Sequence, residues 1–214
     1  MNRQKSRLLV SVAVLAMLPM AAHAQQASKS NDQDVLELDS VVITASRDGA
    51  TKMNSSISVS ALSAEQILAQ APRSTAEIFR SLPGVRSEST GGDGNANIAV
   101  RGLPVASGGA KFLQLQEDGL PVMEFGDIAF GNADIFLRAD QNVARIESVR
   151  GGSSSTFASN SPGGVINFIS KTGEVEGGEI ALTKGLGYDH TRLDFDYGAP
   201  LSDTLRFHVG GFYR

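Results

Sequence analysis

The sequence predicts a compact domain in which strands and short helices intermingle, preceded by an export leader and followed by the opening strands of an antiparallel wall. Three observations predict it. A basic, then apolar, then small-residue succession opens the chain. From residue 55 to 172, capping signals, glycine-bounded strands and a hairpin turn follow one another. From residue 177, three successive segments each carry one apolar face and one ionic face.

Residues 1–24 have the form of a secretory signal. Arg3, Lys5 and Arg7 make the basic start, an apolar run follows, and Ala22-His23-Ala24 is a small-x-small cleavage site. The apolar run is too short for a spanning helix, which needs roughly 20 residues, and Pro19 lies inside it. Cleavage after Ala24 removes three positive charges and no negative one, so the formal net charge of -4 becomes -7. A net-acidic mature chain argues against nucleic acid as a partner. The absence of cysteine excludes thiolate metal sites and thiol catalysis.

Residues 25–54 read as a flexible polar segment interrupted once, at 39–46. There Asp39, Ser40, Val41, Val42, Ile43, Thr44 and Ala45 form a short β-branched run. The sequence around the run supplies neither a turn nor a neighbouring strand. The expected partner is therefore a strand of another protein, added at a sheet edge. The alternative is that the run opens the following domain.

Organised structure is expected from residue 55 to 172. Ser56-Ile57-Ser58-Val59-Ser60 alternates as a strand does. Ser63-Ala64-Glu65-Gln66 and Ser74-Thr75-Ala76-Glu77 both match a capping box. The first opens a short helix ending before Pro72. The second opens a helix with Ile78, Phe79 and Leu82 on one face, stopped by Pro83-Gly84. Residues 91–97 are glycine-rich but lack phosphate-loop spacing. Ile98-Ala99-Val100-Arg101-Gly102 is a strand entering a turn, and residues 103–111 form a loop. Phe112 to Glu117 alternate, with Asp118-Gly119 turning the chain into Leu120-Pro121-Val122. Asp140 is placed to cap a short helix, Arg145 to Arg150 a strand, and Val165 to Ser170 a further strand.

In residues 177–214, Ile180 and Leu182, then Leu193, Phe195 and Tyr197, then Leu205, Phe207 and Val209 alternate with ionic or small residues. Such strands fit a barrel wall, apolar toward lipid and polar toward a wet lumen. A half-buried soluble sheet shows the same pattern; the export signal and the adjoining domain favour the wall. Three strands cannot close, and open edges in lipid leave backbone groups unpaired, so the expectation is the front part of a longer protein.

In order and spacing these pieces resemble the N-terminal portion of a TonB-dependent outer-membrane receptor. The resemblance rests on the box at Asp39–Ala45, on Leu82-Pro83-Gly84-Val85, Val100-Arg101-Gly102 and Asp118-Gly119-Leu120-Pro121. It rests further on Ile146-Glu147-Ser148-Val149-Arg150-Gly151 through Gly163-Gly164-Val165-Ile166-Asn167-Phe168-Ile169. It implies an α+β plug domain with a small mixed central sheet, followed by the first antiparallel strands of an incomplete transmembrane β-barrel. It implies an outer-membrane location in contact with lipid. The periplasmic C-terminal domain of TonB would pair by strand addition with Asp39 to Ala45, energising import of a scarce extracellular small molecule, a ferric chelate of the siderophore class foremost and cobalamin next. Arg101 and Arg150 match plug arginines that pair with barrel glutamates. The other reading is that both simply bond carbonyls at strand ends. Ligand-facing loops would carry Gly92, Asp93 and Asn95, and Pro104, Ser107 and Lys111. Only about 14 residues separate the cleavage site from Asp39, too few for an added signalling domain.

The sequence offers no catalytic constellation. The three histidines are scattered, no metal-ligand spacing is present, and no nucleophile elbow surrounds a serine. No enzyme activity, metal or cofactor is expected. The alternative function is a stand-alone plug-like periplasmic binding module without transport, which a natural stop after Arg214 would favour.

Overall fold

The computed structural model describes residues 41–42, 50–51, 58–92, 94–104, 112–123, 133–151, 158–159 and 161–214. The export leader 1–24 and the polar residues 25–33 lie outside these. Strand β1 (Val41–Val42) pairs antiparallel with β2 (Ala50–Thr51), Val41 opposite Thr51 and Val42 opposite Ala50. This corrects the expectation that the β-branched run has no strand of its own to pair with. Backbone donors and acceptors pair without regard to side chains, so a polar segment lacking strand periodicity supplies the partner.

Strand β3 (Ser58–Ser63) runs directly into helix α1 (Ala64–Gln70). The first capping box forms in full: Gln66 N–H donates to Ser63 Oγ at 3.3 Å, and Ser63 N–H donates to Gln66 Oε1 at 3.1 Å. A left-handed Ala71 ends the helix before Pro72. The second box does not form. Ser74 caps α2 (Thr75–Ser81) without a side-chain bond. Glu77 turns instead to Arg73, accepting its backbone N–H at 2.8 Å and its guanidinium at 2.6 Å. The bond to Arg73 joins two ionised groups, whereas the reciprocal capping bond it replaces would have only the carboxylate charged. It holds the Glu77 carboxyl below the usual carboxylate range.

Strands β4 (Val85–Ser89) and β5 (Ala96–Val100) form a separate antiparallel hairpin. Strands β6 (Leu113–Glu117) and β7 (Leu120–Pro121) join across Asp118 and Gly119, both left-handed at φ 52° and 83°, as a type I′ turn requires. A 3-10 turn at Ala133–Phe136, which the sequence reading lacked, precedes β8 (Val143–Arg150) and β9 (Gly164–Ser170). The helix expected after Asp140 is absent. Asn142 N–H donates to Asp140 Oδ1 at 3.0 Å, closing an Asx turn that delivers the chain straight into β8.

The central sheet is mixed, ordered β3-β8-β9-β6-β7, with β6 and β9 parallel and the other neighbours antiparallel. Ile146, Ile166, Phe168, Leu113 and Leu115 share its core face. Against them pack Ile67 of α1, Ile78, Phe79 and Leu82 of α2, and Ile98 and Val100 of β5. Phe79 meets Phe168 edge-on with ring centroids 6.1 Å apart.

Beyond this domain, β10 (Gly177–Lys184), β11 (Thr191–Pro200) and β12 (Arg206–Tyr213) form a three-stranded antiparallel sheet. Its faces are inverted relative to an ordinary soluble sheet. Ile180, Leu182, Leu193, Phe195, Tyr197 and Val209 are exposed, whereas Asp194 and Asp196 are 7% and 6% exposed. Among the described residues no helix is long and apolar enough to cross a membrane, which says nothing about strands.

The chain leaves the mixed-sheet domain through Gly173, at φ +71°. A Cβ there would lie 1.8 Å from the carbonyl oxygen of Phe207 on β12, so only glycine permits this approach.

The core predicts its own weak point. Replacing Phe79, which is fully buried, with alanine should destabilise the domain by about 3–5 kcal/mol. Denaturant unfolding of the intact protein measures it, and a loss under about 1 kcal/mol would place Phe79 outside the core.

Candidate functional site

Three motifs that lie far apart in the chain converge on one spot. Gly84, at φ +76°, sits between two arginine stems: a Cβ there would lie 3.7 Å from Arg101 Cγ and 3.7 Å from Arg150 Cδ. Arg101 follows β5 in a left-handed turn at φ 48°, and its N–H donates to Gly84 O at 3.0 Å. Arg150 closes β8 on the core face of the sheet and is only 8% exposed.

Its guanidinium donates to the carbonyl of Pro83, to Ser60 Oγ at 2.8 Å and to Ser58 Oγ at 3.2 Å. Arg101 Nη2 donates to the same Ser58 hydroxyl at 2.6 Å. Two cations thus share one serine, with no carboxylate in salt-bridge range among the described residues. Arg150 Nε is buried without a hydrogen-bond partner among them. Burial, and then the neighbouring Arg101 charge, push the Arg150 guanidinium below its ordinary range. Such a spot is electrostatically prepared for an incoming carboxylate.

The first glycine-rich loop is held from below. Asp134, fully buried in the 3-10 turn, accepts Thr75 Oγ–H at 2.7 Å and Ala96 N–H at 2.8 Å, tying α2 to the start of β5. Asn95, at φ 78°, and exposed Gly92, at φ 74°, shape the loop above this brace. The Thr90 hydroxyl closes it onto the carbonyl of Asn95. A Cβ on Gly94 would lie 2.7 Å from Ile135 Cα, so the loop rests directly on the turn. Pro104 is exposed beside Arg101. Asp93, Ser107 and Lys111 fall outside the described residues, as do Asp39, Ser40, Ile43, Thr44 and Ala45; Val41 and Val42 are described in backbone only.

A second polar cluster, which the sequence reading missed, joins the mixed-sheet domain to the three-stranded wall. Arg192 forks onto Asp194 with bonds of 2.7–3.0 Å, donates to Ala139 O at 2.6 Å and lies 4.0 Å over the Phe212 ring. Lys171 Nζ reaches Asp196 Oδ2 at 3.0 Å, and His208 Nε2 lies 3.0 Å from the same oxygen. His208 reads as one of three scattered histidines. Its place beside Asp196 follows only from the register that sets Gly198 opposite His208. Among the described residues no three acidic or histidine side chains gather as a metal site would need.

A family model described as the TonB-dependent receptor plug domain matches residues 51–165, more than half of the chain. The chain is 28% identical over 225 residues to the ferric enterobactin receptor of Pseudomonas aeruginosa, covering 96% of this chain and 29% of that one. It is 29% identical over 208 residues to the vitamin B12 transporter BtuB of Vibrio cholerae, covering 96% and 31%. It therefore spans less than a third of the length of these curated relatives. Among solved structures, the ferripyoverdine receptor of the Pseudomonas aeruginosa outer membrane, bound to ferripyoverdine, superposes with a TM-score of 0.61. That match covers 81% of this chain and 22% of that one at 20% identity, a likeness of fold.

The Asp134 brace carries a pH signature. Burial pushes its carboxyl above the usual range, against the pull of the Thr75 and Ala96 hydrogen bonds. A raised folded value means that its contribution to stability is complete below the unfolded value of about 3.9 and is lost as pH rises through the folded one. The stability of the native protein relative to Asp134→Asn should therefore increase as pH falls from about 7 toward 4. Unfolding midpoints of both proteins across that range measure it, and a difference that stays flat or grows with pH would contradict it.

Proposed function

The chain belongs to the TonB-dependent receptor plug family, and on that premise we propose that it forms the N-terminal part of an outer-membrane receptor importing a scarce extracellular nutrient under the drive of TonB. Its fold is a plug domain with a mixed sheet, followed by antiparallel strands that do not close. The observation that carries the reading is the inverted wall. The ionic residues of its central strand, Arg192, Asp194 and Asp196, are covered by protein and its apolar face is bare, the arrangement a strand needs when lipid lies on one side and protein on the other. Residues 1–24 serve as the export signal, cleaved after Ala24.

The relatives are receptors and transporters, not enzymes, and the chain is assigned no catalysis. A ferric siderophore is the favoured cargo, since relatives are named for ferric enterobactin; those named for vitamin B12 make cobalamin the second choice. The loops carrying Gly92, Asp93 and Asn95, and Pro104, Ser107 and Lys111, face the ligand. Arg101 and Arg150 meet carboxylates of the barrel wall, which would supply the counter-charge their shared serine lacks. TonB adds a strand to the segment Asp39 to Ala45. Pairing with Ala50–Thr51 occupies one edge of Val41–Val42, and a strand has two.

Strand addition makes a sharp demand on Val42. Proline there removes a backbone donor and fixes φ, while alanine changes only the side chain. In the full-length receptor, Val42→Pro should lower both cargo uptake and cross-linking to TonB by about tenfold, with Val42→Ala near normal. Unchanged uptake together with unchanged cross-linking in the proline variant would remove the box from the mechanism.

A further inference from the structure

Asp196 collects side chains from three other segments onto one carboxylate. Its side chain is 4% exposed. Lys171, the first residue after β9, donates to Oδ2 at 3.0 Å, and His208 of β12 lies 3.0 Å from that oxygen. Gln141, with its amide nitrogen turned toward the wall, donates to Oδ1 at 3.2 Å and to Glu179 O at 3.3 Å. The nearest other buried acid, Asp194, is already occupied by the fork of Arg192. The Lys171 ammonium and the His208 ring therefore depend on Asp196 alone for a buried anion among the described residues.

The backbone converges at the same place. Lys171 N–H donates to Asn142 O at 2.8 Å. A Cβ on Gly198 would lie 2.9 Å from Gly173 Cα, so the exit segment 171–173 lies directly on β11. Of the other charges nearby, Glu174 lies 3.5 Å from Arg206 at the surface, Arg192 answers Asp194, and exposed Glu176 accepts the Tyr197 hydroxyl.

We propose that Asp196 is a positioning residue that bolts the exit segment of the plug, residues 171–173, to the first strands of the wall through Lys171 and His208. The inference rests on the reading of this chain as plug and wall. The opposite end of the plug is held differently. Strand β3 lies at the edge of the sheet and pairs with β8 alone. A load carried through the N-terminal segment thus reaches an edge strand first, while the exit end is held to the wall by the Lys171 side chain and by close packing of Gly173 on β11 and β12.

Amide hydrogen exchange on the full-length receptor in detergent micelles tests the bolt. In Asp196→Asn, the Lys171 amide, which donates to Asn142 O, should exchange about tenfold faster, the factor expected when a charge-assisted bond leaves a buried site, with β11 and β12 unchanged. Lys171→Met keeps the stem, lies outside the wall strands and should do the same, which decides the matter if Asp196→Asn fails to assemble. The charge-swapped pair Lys171→Asp with Asp196→Lys should recover most of the protection, as a purely packing role would not. Exchange within about twofold of native in the single variants, or a swap no better protected than they are, would overturn the proposal. Outer-membrane fractionation and heat-modifiable migration of the native protein test the receptor reading separately. Native protein that fails both and still loses protection of the Lys171 amide in Asp196→Asn would keep the bolt and remove that reading.

Discussion

A sheet whose charged side is covered by protein holds together only when each buried charge finds its opposite. Taking an ion out of water is so unfavourable that an unpaired partner in the interior destabilises by several kcal/mol, of order 3–5. In β11 the inward residues Arg192, Asp194 and Asp196 meet that constraint through one internal fork and one cross-domain cluster. The apolar residues between them then face outward, since the strand's period of two allows no other choice. The wall's lipid-compatible surface is thus a consequence of how its inner charges are satisfied.

The arginine pair stands in a contrasting electrostatic state. Arg150 and Arg101 are held by hydroxyls and a carbonyl, neutral acceptors that orient guanidinium groups without neutralising them. Orientation without neutralisation leaves the pair able to take up a carboxylate without first breaking another ion pair. At the Asp196 cluster the charges are already matched, which suits a contact that stays. One domain therefore presents a balanced junction and an unbalanced one to its surroundings.

Backbone chemistry accounts for the N-terminal segment. The ladder between Val41–Val42 and Ala50–Thr51 is only two residues long on each side. A two-stranded ribbon of that length is marginal in water by itself.

Much of this was legible in the chain itself wherever the deciding interaction spans a few residues. The Ser63–Gln66 capping box, the Asp118-Gly119 turn, the buried face of Ile78, Phe79 and Leu82, and the alternation of β10 to β12 all follow from helix or strand periods read locally. Local reading failed where a competitor stood just outside the motif, as when Glu77 chose Arg73 over the Ser74 box, or where a strand found a partner with no pattern of its own. The convergence of Arg101 and Arg150 on Ser58, the bracing of residues 91–95 by Asp134, and the gathering of Lys171 and His208 on Asp196 needed the folded chain. Their partners lie 12 to 92 residues apart. Ionic and hydrogen-bonding groups carry no periodicity that names a distant partner; only sheet register and close backbone approach bring them within hydrogen-bonding distance.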